Sequence, residues 1–124
     1  MKKVLLVDDN PLVGKLTSQY LSQHGFEVAV SQGPFGVLNK VREFCPDVIL
    51  MDLNMPGLSG MKMVELLKAV RSHRGFQVIL FSSEDVEMQT ALIDKGLAQG
   101  YFFKGQSLEG LSEKINETAS VMAA

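Results

Sequence analysis

Two aspartates, Asp8 and Asp9, end the apolar run Val4 to Val7, and a third, Asp52, directly follows the run Val48 to Met51. Ser82 and Ser83 follow Val78 to Phe81, and Lys104 follows Tyr101 to Phe103. If those runs are neighbouring strands, three carboxylates converge on one crevice with a hydroxyl and an ammonium beside them. Carboxylates packed together repel one another and resist ionisation. A hard divalent cation with oxygen ligands, Mg²⁺ or its relatives, relieves that repulsion, and the Lys104 ammonium balances the remaining charge. A carboxylate beside a metal and a cation suits phosphoryl chemistry, because both positive charges stabilise the transferring oxygens and the carboxylate can act as nucleophile. Taken singly, each residue has a plainer role. An aspartate after a strand turns the chain or caps a helix, Ser82 can cap the helix behind it, and Lys104 can be a solvated surface lysine. Their conjunction at four strand ends is what points to chemistry.

Bringing those ends together requires a particular arrangement of elements. Short β-branched runs (Val4 to Val7, Glu27 to Val30, Val48 to Met51, Val78 to Phe81, Tyr101 to Phe103) alternate with amphipathic stretches. Three of the runs are almost continuously apolar, as in parallel strands covered on both faces. Asn10 before Pro11 suits a helix N-cap with proline at the first position. Leu12, Leu16 and Tyr20 then form one stripe, ended by Gly25. Phe35, Leu38 and Val41 mark a second helix, closed before Pro46. Ser59 opens a third with Met61, Val64, Leu67 and Val70; Val86, Gln89 and Ile93 mark a fourth, with Leu92 flanking. Ser107 opens the last, with Leu108, Leu111, Ile115 and Met122 at helical spacing. Five strands alternating with five helices imply right-handed crossovers and an α/β, three-layer, doubly wound (βα)5 flavodoxin-like fold with parallel sheet order 2-1-3-4-5. Ligands in such sheets bind beyond the carboxyl ends of the strands, at the switch point between strands 1 and 3.

Composition narrows the class. The 124 residues suit a single domain, 1–124. An apolar fraction of 46% with 21% charged residues excludes a disordered or fibrous chain. A formal charge of -2 provides no overall field for nucleic acid or membrane. The longest apolar runs are too short to span a bilayer. Asp8 and Asp9 interrupt the faint signal-peptide pattern of Lys2, Lys3 and the following run. Cys45 alone cannot form an internal disulfide, which favours a reducing, cytoplasmic setting.

Val4-Leu5-Leu6-Val7-Asp8-Asp9, the stretch Asp52-Leu53-Asn54-Met55-Pro56-Gly57-Leu58-Ser59-Gly60, Ser82 after the fourth run, and Tyr101 three residues before Lys104 together resemble the CheY-like receiver domain of bacterial two-component response regulators. The resemblance covers essentially the whole chain. It implies that Asp52 accepts a phosphoryl group from a phosphohistidine of a sensor histidine kinase or phosphotransfer protein. It implies a Mg²⁺ ion held by Asp8, Asp9, Asp52 and the backbone carbonyl of Asn54, with Lys104 contacting the phosphoryl group. Ser82 then turns its hydroxyl toward a phosphoryl oxygen, Tyr101 swings inward, and the surface of helix 4, strand 5 and helix 5 changes shape. Asn54 and Glu84 match positions that tune dephosphorylation. The implied partners are the phosphodonor and a downstream protein or output domain, with no direct nucleic-acid or membrane binding, and the chain is a monomer or weak dimer. It catalyses only its own phosphorylation and dephosphorylation and is not a turnover enzyme.

Some positions depart from the family pattern. Gly105 follows Lys104 where the family usually has proline after a cis bond. A cis bond before a non-proline residue costs about 2.5–4 kcal/mol, so a trans Lys104–Gly105 bond and a looser turn are expected. Leu97-Ala98, preceded by Gly96, stands where the family tends to have Gly-Ala before strand 5, so helix 4 ends a residue early or Leu97 lies on the output face. The alternative function is a pseudo-receiver, a phosphorylation-independent protein-binding module. An aspartate-nucleophile phosphatase would carry an Asp-x-Asp pair rather than adjacent aspartates, and acidic residues at the switch point would repel a flavin phosphate. His24 and His73 lack metal-ligand spacing, Cys45 reads as a packing residue, and Lys62, Lys68, Arg71 and Arg74 read as a solvated basic face of helix 3.

Overall fold

Alternation along each strand sends side chains to two opposite faces of a sheet, and both faces here are buried. The computed structural model describes residues 2–53, 60–83, 86–104 and 107–123. Its elements run β1 (Lys3–Val7), α1 (Pro11–Gln23), β2 (Glu27–Ser31), α2 (Val37–Phe44), β3 (Val48–Met51), α3 (Gly60–Arg74), β4 (Gln77–Ser82), α4 (Val86–Asp94), β5 (Gly100–Phe103) and α5 (Leu111–Ala123). The strands form one sheet in the order β2-β1-β3-β4-β5 with every pair parallel, as expected.

Leu5, Val7, Ile49, Met51, Val78 and Leu80 face one side, against Val37 and Val41 of α2, Val64 and Leu67 of α3, and Leu92 of α4. Val4, Leu6, Val48, Leu50, Ile79 and Phe81 face the other, against Leu21 of α1 and Leu111 and Ile115 of α5. The continuous apolar runs of β1, β3 and β4 thus reflect burial on both faces. Helices α1 and α5 form one outer layer; α2, α3 and α4 form the other.

Helix ends follow local chemistry. The Asn10 side chain accepts hydrogen bonds from the Leu12 and Val13 amides at 3.0 and 3.3 Å, which fixes the start of α1 beside Pro11. At its other end the Gly25 amide donates to the Ser22 carbonyl and the Phe26 amide to the Leu21 carbonyl. This is a Schellman closure, with Gly25 at φ 87° and Phe26 packed with Leu21 in one cluster. Helix α4 ends the same way: Gly96 donates to Ile93 and Leu97 to Leu92. Leu97 packs against the core, so it is not an output-face residue.

Three helical readings are corrected. In α1 the buried residues are Gly14, Thr17 and Leu21, whereas Leu12 is 63% and Leu16 51% exposed. Small side chains at 14 and 17 let the helix lie close to the sheet; a Cβ on Gly14 would touch Val30 Cγ1 at 3.5 Å. Tyr20 of the expected stripe does pack against the core. Phe35 precedes α2 rather than joining its apolar stripe and is 80% exposed, because Gly36 at φ 85° turns the chain before Val37. Ser107 does not open α5; a left-handed turn at Gly110 delays the helix to Leu111, although Leu108 still packs on the core.

Candidate functional site

Register places the acidic residues. Val7 of β1 lies opposite Met51 of β3, so Asp8 and Asp52, each one residue further on, emerge side by side. The ladder continues through them: the Asp8 amide donates to the Ser31 carbonyl and the Asp52 amide to the Val7 carbonyl, both at 3.0 Å. Asp8 and Asp52 are buried and Asp9 is half-buried. One carboxylate oxygen from each of the three lies within 4.8 Å of the other two.

Lys104 reaches this pocket from β5. Its backbone amide donates to the Ser82 carbonyl at 3.0 Å. Its Nζ pairs with Asp8 Oδ2 at 2.8 Å and Asp52 Oδ2 at 3.1 Å. Burial opposes the lysine charge, but hydrogen bonds and Coulomb attraction from Asp8 and Asp52 outweigh it and raise the ammonium above the ordinary lysine pKa. Asp8 Oδ1 accepts from the Asn10 amide at 2.9 Å, so both oxygens of this carboxylate are engaged. The sequence pattern identified Asn10 as a helix cap; the second task of its backbone, orienting Asp8, leaves no residue-type signal because any non-proline residue carries an amide.

Ser82 is fully buried at the end of β4, opposite Phe103 of β5. Tyr101 is half-buried and packs on the face covered by α2, α3 and α4. Asp8, Asp9, Asp52 and Lys104 therefore meet as the strand-end reading expected, with Ser82 and Tyr101 on the two strands leading to that edge. Asn54, Glu84 and the Lys104–Gly105 bond lie outside the described residues.

The donor set fits a hard divalent cation. It offers oxygen ligands only, converging from two strand ends, and its three negative charges are balanced by one such ion together with the Lys104 ammonium. A doubly wound domain with this acidic pocket at its switch point defines a class built to hold charge at the sheet edge.

Within that class the chain belongs to the response regulator receiver domain family, whose model matches residues 4–116. The chain is 36% identical to response regulator GacA of Pseudomonas syringae pv. syringae over 126 residues, covering 99% of this chain and 56% of that protein. It thus spans little more than half the length of that relative. It is 30% identical to polar-differentiation response regulator DivK of Brucella ovis over 114 residues, covering 92% of this chain and 93% of that one. The solved structure of response regulator TrrA from Thermotoga maritima, in complex with Mg²⁺-BeF, shares the fold at a TM-score of 0.81 and 24% identity, covering 95% of this chain and 99% of that one. The family places the chain in two-component signalling as a receiver rather than a classical enzyme. Among the described residues no helix is long and apolar enough to cross a membrane.

Proposed function

We propose that the chain is a phosphorylation-dependent switch, with Asp52 as phosphoacceptor and a phosphohistidine of a sensor histidine kinase or phosphotransfer protein as donor. The observation that carries this reading is the meeting of Asp52 with Asp8, Asp9 and Lys104 in one crevice. Asp8, Asp9, Asp52 and the Asn54 carbonyl would hold a Mg²⁺ ion, which would supply charge neutralisation for the transferring oxygens. An Asp52 carboxylate oxygen forms the new O–P bond as the donor P–N bond breaks, and that electron pair returns to the imidazole nitrogen. Lys104, already paired with Asp52, moves its ammonium to a phosphoryl oxygen.

The new acceptor oxygens attract the Ser82 hydroxyl, and movement there admits the Tyr101 ring, reshaping the surface of α4, β5 and α5. A coupling of about 1–3 kcal/mol changes a downstream partner's affinity about 5- to 150-fold. Asn54 and Glu84 orient the water that ends the signal. Leu12 and Leu16, exposed on the helix that starts two residues beyond Asp9, offer an apolar landing surface to the donor beside the acceptor. The setting is cytoplasmic, and the switch works as a monomer or weak dimer.

Labelling with phosphoramidate tests the assignment. The wild-type chain should be labelled only with Mg²⁺ present, and Asp52→Asn should lower labelling at least about 100-fold. Wild-type labelling of Asp52→Asn would show that the acceptor lies elsewhere. No Mg²⁺-dependent labelling of the wild-type chain would leave a phosphorylation-independent binding module.

A further inference from the structure

An apolar groove of about 320 Å³ lies between α2 and α3 and shares no lining residue with the acidic pocket. Its walls include Phe35, Leu38, Met63 and Leu66, and Arg42 stands at its edge. Phe35 is 80% and Leu66 39% exposed, so a phenyl ring and a leucine meet water beside two residues that pack on the core. Isolated exposed apolar residues need no explanation, but a cluster of them lining a concave surface marks an interaction site.

Charge narrows the occupant. No carboxylate is among the described residues that line the groove, whose one charged wall residue is Arg42. Lys68 of α3 turns its ammonium to the Lys95 carbonyl instead, so Arg42 sets the sign of the wall, and it favours an acidic ligand. Helix α2, Val37–Phe44, is about 12 Å long at helical rise, or two turns, which matches anchors at i, i+3 or i+4, and i+7 of a docked helix.

We propose that the α2–α3 groove receives an acidic amphipathic helix of a protein partner, its apolar stripe against Phe35, Leu38 and Leu66 and a carboxylate facing Arg42. This surface is separate from the phosphoacceptor site and does not depend on the chemistry there.

A phage-displayed library of random 16-residue peptides, selected on the folded chain and counter-selected on Phe35→Ser, tests the proposal. The enriched peptides should be net acidic with apolar residues at helical spacing. In fluorescence anisotropy they should lose at least about tenfold in affinity on Phe35→Ser and on Arg42→Glu, and stay within about threefold on Arg42→Lys. Circular dichroism melting of the same variants checks that each remains folded. Failure to enrich any Phe35-dependent peptide overturns the proposal, as does enrichment of basic or uncharged ones. A dimer in analytical ultracentrifugation that Phe35→Ser abolishes would make the occupant a second copy of this chain and overturn the partner assignment.

Discussion

The edge of the sheet beyond β1 and β3 and the outer face of α1 invert the usual distribution of side chains in opposite ways. At the edge, Asp8 and Asp52 are buried, although desolvating a carboxylate is unfavourable without a partner. On α1, Leu12 and Leu16 stand in water while Gly14 and Thr17 are inside. Both carboxylates are paired with Lys104, and Asp8 also accepts the Asn10 amide. The leucines have no comparable compensation within the fold. Burial at the edge is thus sustained by internal pairing, whereas the exposed leucines of α1 are the surface that the proposed donor would meet.

Substitutions can break that contrast. The largest stability effect is expected inside α1: Leu21→Ala removes a fully buried side chain and should cost about 3 kcal/mol in urea denaturation. Lys104→Ala should cost about 2 kcal/mol at neutral pH, less than a wholly buried pair because its ammonium is partly exposed. Added Mg²⁺ should recover part of that loss, and labelling should persist while its effect on Tyr101 signals disappears. The pH dependence has a definite sign. The raised Lys104 pKa gives stability that is complete below the ordinary lysine value and lost as pH climbs through the folded value. Alkaline melting curves should therefore fall more steeply for wild type than for Lys104→Ala. Asn10→Ala should cost about 1 kcal/mol through loss of the cap, with labelling retained because the backbone amide on Asp8 remains. Leu12→Ser should change stability by less than about 0.5 kcal/mol, leave phosphoramidate labelling intact, and slow transfer from a phosphohistidine protein. An unchanged transfer rate would remove the external role assigned to that face.

The strand ends were legible because a parallel sheet converts scattered residues into neighbours by register alone. Once β1 and β3 are adjacent, Asp8 and Asp52 must meet. Helix faces were less legible. On α1, residues 12, 16 and 20 and residues 14, 17 and 21 both repeat at helical spacing, and hydrophobicity selects the first set. Packing selects the second, because small residues allow close approach to β2. Phe35 and Ser107 failed for a related reason. Each stands before a glycine with positive φ, Gly36 or Gly110, and that turn separates it from the helix whose spacing it matches.

Asp8, Asp52 and Lys104 each donate their amide to the neighbouring strand as though the ladder had one more rung. Their backbones are pinned like the fulcrum of a lever, so that any travel at the pocket falls to the side chains. The amides of these three residues should accordingly exchange with deuterium as slowly as the middle of the sheet, even though they border the acidic pocket.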